Sequence, residues 1–347
     1  MNFLACDLGG TKVLLGIFQK NANTDSPNLI FRKKYLSSEW DSIEMIVEDF
    51  LKNECKNITH PFSACFAVAG PISNNNAKII NLSWNISGDR LKNKFKFKSC
   101  ELINDFAVQI YGIPFLEKSQ YSTIQEGDHA VGTNKHLHAI VGAGTGLGIA
   151  RGLILGNNIQ VLASEGGHIE YSPKTNSEWD LTNWLKDSLN VNRISSERIV
   201  SGAGLSRIAE WRLSKPDAKN HPFQKYIKEL KIANNLEKIL PEQIYKLSNE
   251  GDTLMNEIEN IWLRAYGSLL GDVALHELCL GGLWISGGTA PKHFKNFKSD
   301  LFLKQFSDKG RLKDMVKSIP VKVILDENFG LFSAACRAKM LLLENSF

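Results

Sequence analysis

Three glycine-rich turns carry the residues best suited to hold a phosphate. They read Asp7-Leu8-Gly9-Gly10-Thr11-Lys12, Gly142-Ala143-Gly144-Thr145-Gly146 and Gly287-Gly288-Thr289, and each follows an apolar run. Without a Cβ atom, glycine lets backbone N–H groups come close to phosphate oxygens. The threonine hydroxyls add donors and Lys12 adds a point charge. A helix starting after Gly288 would add its positive N-terminal end. One such turn alone is an ordinary hairpin; three that contain Gly-Thr point to phosphate. The chain has no G-x-x-x-x-G-K-[ST] motif. Gly142–Gly148 reads GAGTGLG, but apolar strands on both sides make it a hairpin rather than the βα turn of a dinucleotide fold.

Polar residues cluster at three further places. Asn104-Asp105 follows the apolar run Leu102-Ile103, at the carboxyl end of a strand, where open α/β sheets present ligand groups. Asp105 could equally cap a helix beginning at Phe106. Glu165 and His168 stand three apart in Ser164-Glu165-Gly166-Gly167-His168. Either they face a ligand or His168 is a hydrogen-bonded core histidine. Glu197 lies in Ser195-Ser196-Glu197-Arg198, where a helix-face carboxylate is the plain alternative. No H-e-x-x-H pattern or cysteine set supports a dedicated metal site.

The elements that would position these groups alternate. Phe3–Asp7 and Lys12–Phe18 read as a hairpin, Leu29–Tyr35 as a third strand, and Asp41–Cys55 as a helix with apolar residues at helical spacing. Ala64–Ala69 reads as a buried strand, Ser87 as a helix N-cap and Cys100–Asn104 as another strand. The order predicts an α/β domain with a mixed sheet. A second hairpin, Ala139–Ala143 with Leu147–Leu155, reopens the pattern, which suggests a weak internal duplication. Then come a long helix over Asp252–Leu280, a strand at Leu283–Ser286, a helix after Pro291, a strand at Val321–Leu325 and an apolar helix at Gly330–Leu343. Ser214–Gln243 reads as solvated helix and loop.

Composition narrows the class. The 347 residues are 43% apolar and 22% charged, close to the globular average, and the length suggests two domains. A net charge of +4 over this length gives no basic face for nucleic acid or an anionic membrane. Six cysteines without C-x-x-C pairs read as buried thiols in a reducing compartment. The start MNFLACDLGG has no signal-peptide pattern, and no apolar run reaches the roughly 18 residues of a membrane span. A cytoplasmic protein is expected.

Together the segments DLGGTK (7–12), AGPI (69–72), NLSW (81–84), INDF (103–106), GAGTGLG (142–148), EGGH (165–168), SERIVSGAGL (196–205), ISGGTAP (285–291) and DKGRLKDMVKSIPV (308–321) resemble the bacterial-type glucokinase family of the sugar kinase/Hsp70/actin fold. The resemblance implies an α/β, two-domain, actin-like ATPase or ribonuclease H-like fold, with mixed sheets, flanking helices and the active site in the interdomain cleft. It implies a small domain over 1–110 plus the C-terminal helix 330–347, and a large domain over 111–329. It also implies ATP-dependent phosphorylation of the glucose 6-hydroxyl, with Asp105 as base. Asn81, Asn104, Asp105, Glu165, His168 and Glu197 would hold the sugar. Asp7, Gly9, Gly10, Thr11 and Lys12 would form the first phosphate loop, Gly144, Thr145 and Gly146 the second, and Gly287, Gly288 and Thr289 the adenosine-side loop. Mg²⁺ would arrive with the nucleotide. A homodimer is carried by analogy alone.

The related repressor/ORF/kinase branch has a cysteine-rich zinc motif after this histidine, whereas IEYSPKTNSEWD follows here. A sugar-responsive regulator of the same fold would need a DNA-binding module, and only six residues precede Asp7. A kinase for another hexose or an amino sugar, or one using polyphosphate, is not separated by these residues.

Overall fold

The computed structural model describes residues 1–21, 25–79, 82–128, 135–233 and 236–344. The chain divides into two units. The first holds Met1–Tyr121, Ala150–Ala163 and Asp326–Phe347; the second holds Ser122–Ile149 and Ser164–Leu325.

The first sheet begins with β1 (Asn2–Leu8), β2 (Lys12–Lys20), β3 (Pro27–Leu36) and β4 (Ser63–Val68). Three short strands follow as a separate antiparallel sheet, β5 (Ile72–Ser73), β6 (Asn76–Ile79) and β7 (Trp84–Ser87). Then β8 (Ser99–Asn104) rejoins the first sheet, whose order is β3-β2-β1-β4-β8. β1 runs antiparallel to β2, and parallel to β4, which runs parallel to β8. Every residue of β4 is buried, as a parallel strand covered on both faces requires.

The second sheet takes β9 (Tyr121–Gln125), β10 (Leu137–Ala143), β11 (Leu147–Leu155), β12 (Asn158–Ser164), β13 (Gly282–Ser286) and β14 (Val321–Ile324). Its order is β12-β11-β10-β13-β14-β9. β10, β13 and β14 are parallel, while two- and three-residue turns join β10, β11 and β12, a connection open to antiparallel neighbours. Five strands of each sheet thus share one order: a three-strand meander, then two parallel strands. The duplication that the two loosely similar hairpins suggested is visible in this topology.

Capping follows the sequence. Ser87 Oγ accepts the Arg90 N–H at the start of the helix Gly88–Phe95, and Asp252 Oδ1 accepts from Leu254 and Met255 at the start of Thr253–Glu277. The C-terminal helix Phe329–Glu344 packs on β1 and β4 of the first unit, where Ala334, Ala335 and Ala338 are fully buried and permit close approach. Arg337 fixes it, with Nε donating to Glu101 Oε2 at 2.6 Å. The stretch 214–243 is less solvated than its composition suggests: Phe223, Ile227, Leu230 and Leu240 join the core of the second unit. All six cysteines are buried thiols, and burial pushes Cys6, Cys65 and Cys336 well above the ordinary thiol range. Among the described residues, no helix is long and apolar enough to cross a membrane.

Candidate active site

In the first unit, parallel pairing aligns three strand ends. Leu8 registers with Val68, and Val68 with Asn104. The turn after β1, the Gly70-Pro71 turn after β4 and the Asn104-Asp105 turn after β8 therefore share one end of one sheet. The first turn closes with Gly9 N–H donating to Lys12 O at 3.0 Å, leaving Gly10, Thr11 and Lys12 exposed. Asp7 is half-buried below them. Burial raises its carboxyl above the ordinary range, and the Lys12 charge offsets part of that rise.

Asn104 and Asp105 divide their work. Asn104 Oδ1 accepts from the Phe106 and Ala107 N–H groups, both at 3.0 Å, and its Nδ2 donates to Gly70 O at 3.3 Å. The N-cap position of the 3-10 helix Ala107–Phe115 is Phe106, and the Asn104 side chain serves the first helical N–H, that of Ala107. Asp105 is half-buried, and its N–H donates to Val68 O at 3.0 Å.

In the second unit, the other two glycine turns meet. Gly142 registers with Ser286 across β10 and β13. Thr289 Oγ1 donates to Ala143 O at 2.6 Å. Gly287 has φ of 88° and a Cβ there would stand 2.9 Å from Ala143 O, so only glycine fits. The helix expected after Pro291 covers Phe294–Phe297, following a run of turns. No helix begins at Gly288 to aim a dipole there. A different helix does reach the second turn: Gly202–Leu213, capped by Ser201 Oγ, whose first N–H donates to Gly144 O at 2.8 Å.

Glu165, His168 and Glu197 also come together in this unit. The 3-10 helix Gly166–His168 lies beside the strand-like pairing of Glu170 with Ser195. Gly167 packs so closely on the start of β11 that a Cβ would be 2.2 Å from Leu147 O. His168 Nε2 stands 3.8 Å from Glu165 Oε2, with both side chains more than half exposed (56% and 76%), a pair that adds little stability and leaves both groups open to a ligand. Glu197 is half-buried and its Oε2 accepts the Leu147 N–H at 3.1 Å. A cavity of about 480 Å³ opens here, lined by His168, Arg193, Ser195, Glu197 and Arg198 among others.

Arg193 was not singled out by sequence reasoning. Its Nη1 donates to His168 O at 2.8 Å and ties the two walls of the cavity. Nothing in Val191-Asn192-Arg193 marks it beyond nearness to the Ser195–Arg198 segment. Asn81 lies outside the described residues.

A strand order repeated in two sheets, with glycine turns at the ends of the parallel strands, is the scaffold of the actin-like ATPases. Carboxylates and a histidine lie close to such turns here, Glu197 beside Gly146 and Leu147. A family profile described as Glucokinase matches residues 4–341. A Nostoc glucokinase is 37% identical over 97% of this chain and 99% of its own length. A Synechocystis glucokinase is 35% identical over 98% of each chain. Among solved structures, the glucokinase of an Antarctic psychrotroph superposes with a TM-score of 0.78 at 27% identity, covering 97% of this chain and 98% of that one. The chain belongs to the glucokinase family.

Proposed function

We propose that this enzyme transfers the γ-phosphoryl group of ATP to the 6-hydroxyl of D-glucose, giving glucose 6-phosphate and ADP, with Asp105 as general base. The observation that carries the assignment is the placement of Asp105 directly after the last residue of β8, at the same sheet end as the Asp7–Lys12 turn.

Phosphoryl transfer depends on positioning and charge stabilisation more than on covalent help. Asp105 accepts the hydroxyl proton as the oxygen attacks, a role worth roughly 10²–10⁴-fold in rate. Backbone N–H groups of Gly10 and Thr11, with Lys12, hold phosphate oxygens on this reading, while Gly9 closes the turn. Gly144, Thr145, Gly146, Gly287, Gly288 and Thr289 hold the rest of the nucleotide. Glu165, His168 and Glu197, with Asn104, take the sugar hydroxyls. A pocket of such groups rejects an analogue lacking a hydroxyl, because polar groups would be left unpaired.

Among the described residues, no cluster of three or more His, Cys, Asp or Glu could cage a metal. Mg²⁺ is held mainly by phosphates and waters with one or two carboxylates. Asp7 is the carboxylate beside the first turn that would hold it through those ligands. When bound, the ion supplies charge neutralisation on the phosphates.

The test is a donor and acceptor screen on purified protein, with the product identified by NMR. ATP with glucose should give the highest kcat/KM, with phosphate on O6. Faster turnover of mannose or an amino sugar, or of polyphosphate as donor, would replace this substrate assignment.

A further inference from the structure

The second unit buries a polar cluster outside every residue assigned above. Glu259, on the helix Thr253–Glu277, and His293 each have side chains only 5% exposed. His293 Nδ1 lies 2.9 Å from Glu259 Oε1, and Asn296 Nδ2 donates to the same oxygen at 2.6 Å. Glu259 Oε2 accepts from Ser248 Oγ at 2.5 Å. A carboxylate oxygen can only accept, so the His293 hydrogen sits on Nδ1. The imidazole packs against Trp262, with centroids 4.8 Å apart, and edge-on to Tyr245 at 5.0 Å.

Replacing both partners of a buried polar contact with apolar groups is often neutral or stabilising, so such a contact is weak evidence of a role in stability alone. Its connections are more informative. The His293 N–H donates to Thr289 O at 3.1 Å, and Thr289 Oγ1 in turn donates to Ala143 O. Trp262 Nε1 donates to Ser201 O at 3.2 Å, and Ser201 caps the helix whose first N–H bonds Gly144. Glu259 thus holds His293, and His293 touches both supports of the paired glycine turns.

We propose that Glu259 and His293 are positioning residues for the nucleotide-side turns, fixing Gly287–Thr289 against Ala143-Gly144 for the phosphate-bearing substrate. The inference rests on the reading that these turns bind the nucleotide. It assigns no contact between His293 and ATP. It predicts that loosening the pair raises KM for ATP more than KM for glucose, because His293 bonds the Gly287–Thr289 turn directly and reaches Glu197 only through Trp262 and Ser201.

The test compares full-length variants by two-substrate kinetics and thermal melting. His293→Phe keeps the ring packing and removes the Nδ1 donor. It should raise KM for ATP about five- to tenfold, with KM for glucose within about twofold of wild type. Glu259→Gln retains acceptor and shape, and should recover most of that loss. Asn296→Ala removes one donor to the same carboxylate at a less buried position; should His293→Phe not fold, this variant carries the test and should shift KM for ATP in the same direction. The reference is Thr289→Ala. If Thr289→Ala raises KM for ATP while folded His293→Phe and Asn296→Ala do not, the positioning role is wrong and the turn assignment stands. If Thr289→Ala leaves KM for ATP unchanged, the turn assignment fails and the positioning role with it. Parallel rises in both KM values would also overturn the proposal, since that is the mark of a merely destabilised unit.

Discussion

Gly146→Ala separates the sugar wall from the phosphate turn that carries it. A Cβ at this position would stand 2.6 Å from Glu197 Oε2 and 3.4 Å from its carboxyl carbon. The colliding atoms are the free end of a side chain, so the carboxylate swings away and the backbone stays. The fold then loses the 3.1 Å hydrogen bond from Leu147 N to Glu197 Oε2. A hydrogen bond to a charged acceptor contributes about 1.5–3 kcal/mol, and partial exposure places this one at the low end. The larger effect falls on glucose. Losing one charge-assisted contact to a hydroxyl, at about 1.5–3 kcal/mol, lowers kcat/KM for glucose about 10- to 150-fold. Gly144→Ala in the same turn is the contrast, because nothing lies within 4 Å of its Cβ. Its effect should fall on KM for ATP, with KM for glucose held within about twofold. Initial rates with both substrates varied, alongside melting curves, distinguish the two. A folded Gly146→Ala enzyme with wild-type kcat/KM for glucose would refute Glu197 as a sugar ligand.

Other expectations follow from packing and charge. Gly167→Ala sets a Cβ 2.2 Å from the Leu147 carbonyl oxygen, backbone against backbone, and should cost about 1–3 kcal/mol in urea unfolding; an unchanged midpoint would contradict that packing. His138 accepts from Trp284 Nε1 at 3.2 Å, and burial, then the charges of Lys322 and His136, lower its pKa from 6.5 to about 4. The folded state therefore keeps His138 neutral while the unfolded chain takes up a proton near pH 6.5, so stability is fully present above pH 6.5 and is lost as pH falls towards 4. By pH 5 the loss should be about 2 kcal/mol, and His138→Gln should flatten the dependence; equal slopes for the two proteins would remove His138 as the cause.

Much of the scaffold was legible because it depends on local signals. The hairpin turns at Gly9-Gly10 and Gly144–Gly146, the cap Ser87 and the long helix Thr253–Glu277 each follow from nearby residues. The sheet β5-β6-β7 was missed because strands of two to four residues are too short to show alternation. The helix placed after Pro291 is only Phe294–Phe297, preceded by turns in which the Thr289 and His293 side chains bond Ala143 and Glu259. Those partners lie tens to over a hundred residues away, beyond any local window. Spacing alone left Asp105 divided between cap and ligand. The structure adds that Asn104 Oδ1 serves the Phe106 and Ala107 N–H groups, a local bond that spacing does not reveal. Arg193 and the buried Glu259–His293 pair had no motif, since their partners are distant in sequence.

Asp105→Asn, measured beside wild type for both turnover and glucose affinity, addresses the chemistry most directly. Coupled kinetics should show kcat lower by about 10²–10⁴-fold, while calorimetry shows glucose bound within about threefold of wild type by a protein with an unchanged melting curve. Turnover in the folded variant close to that of wild type would contradict the assignment of Asp105 as the base.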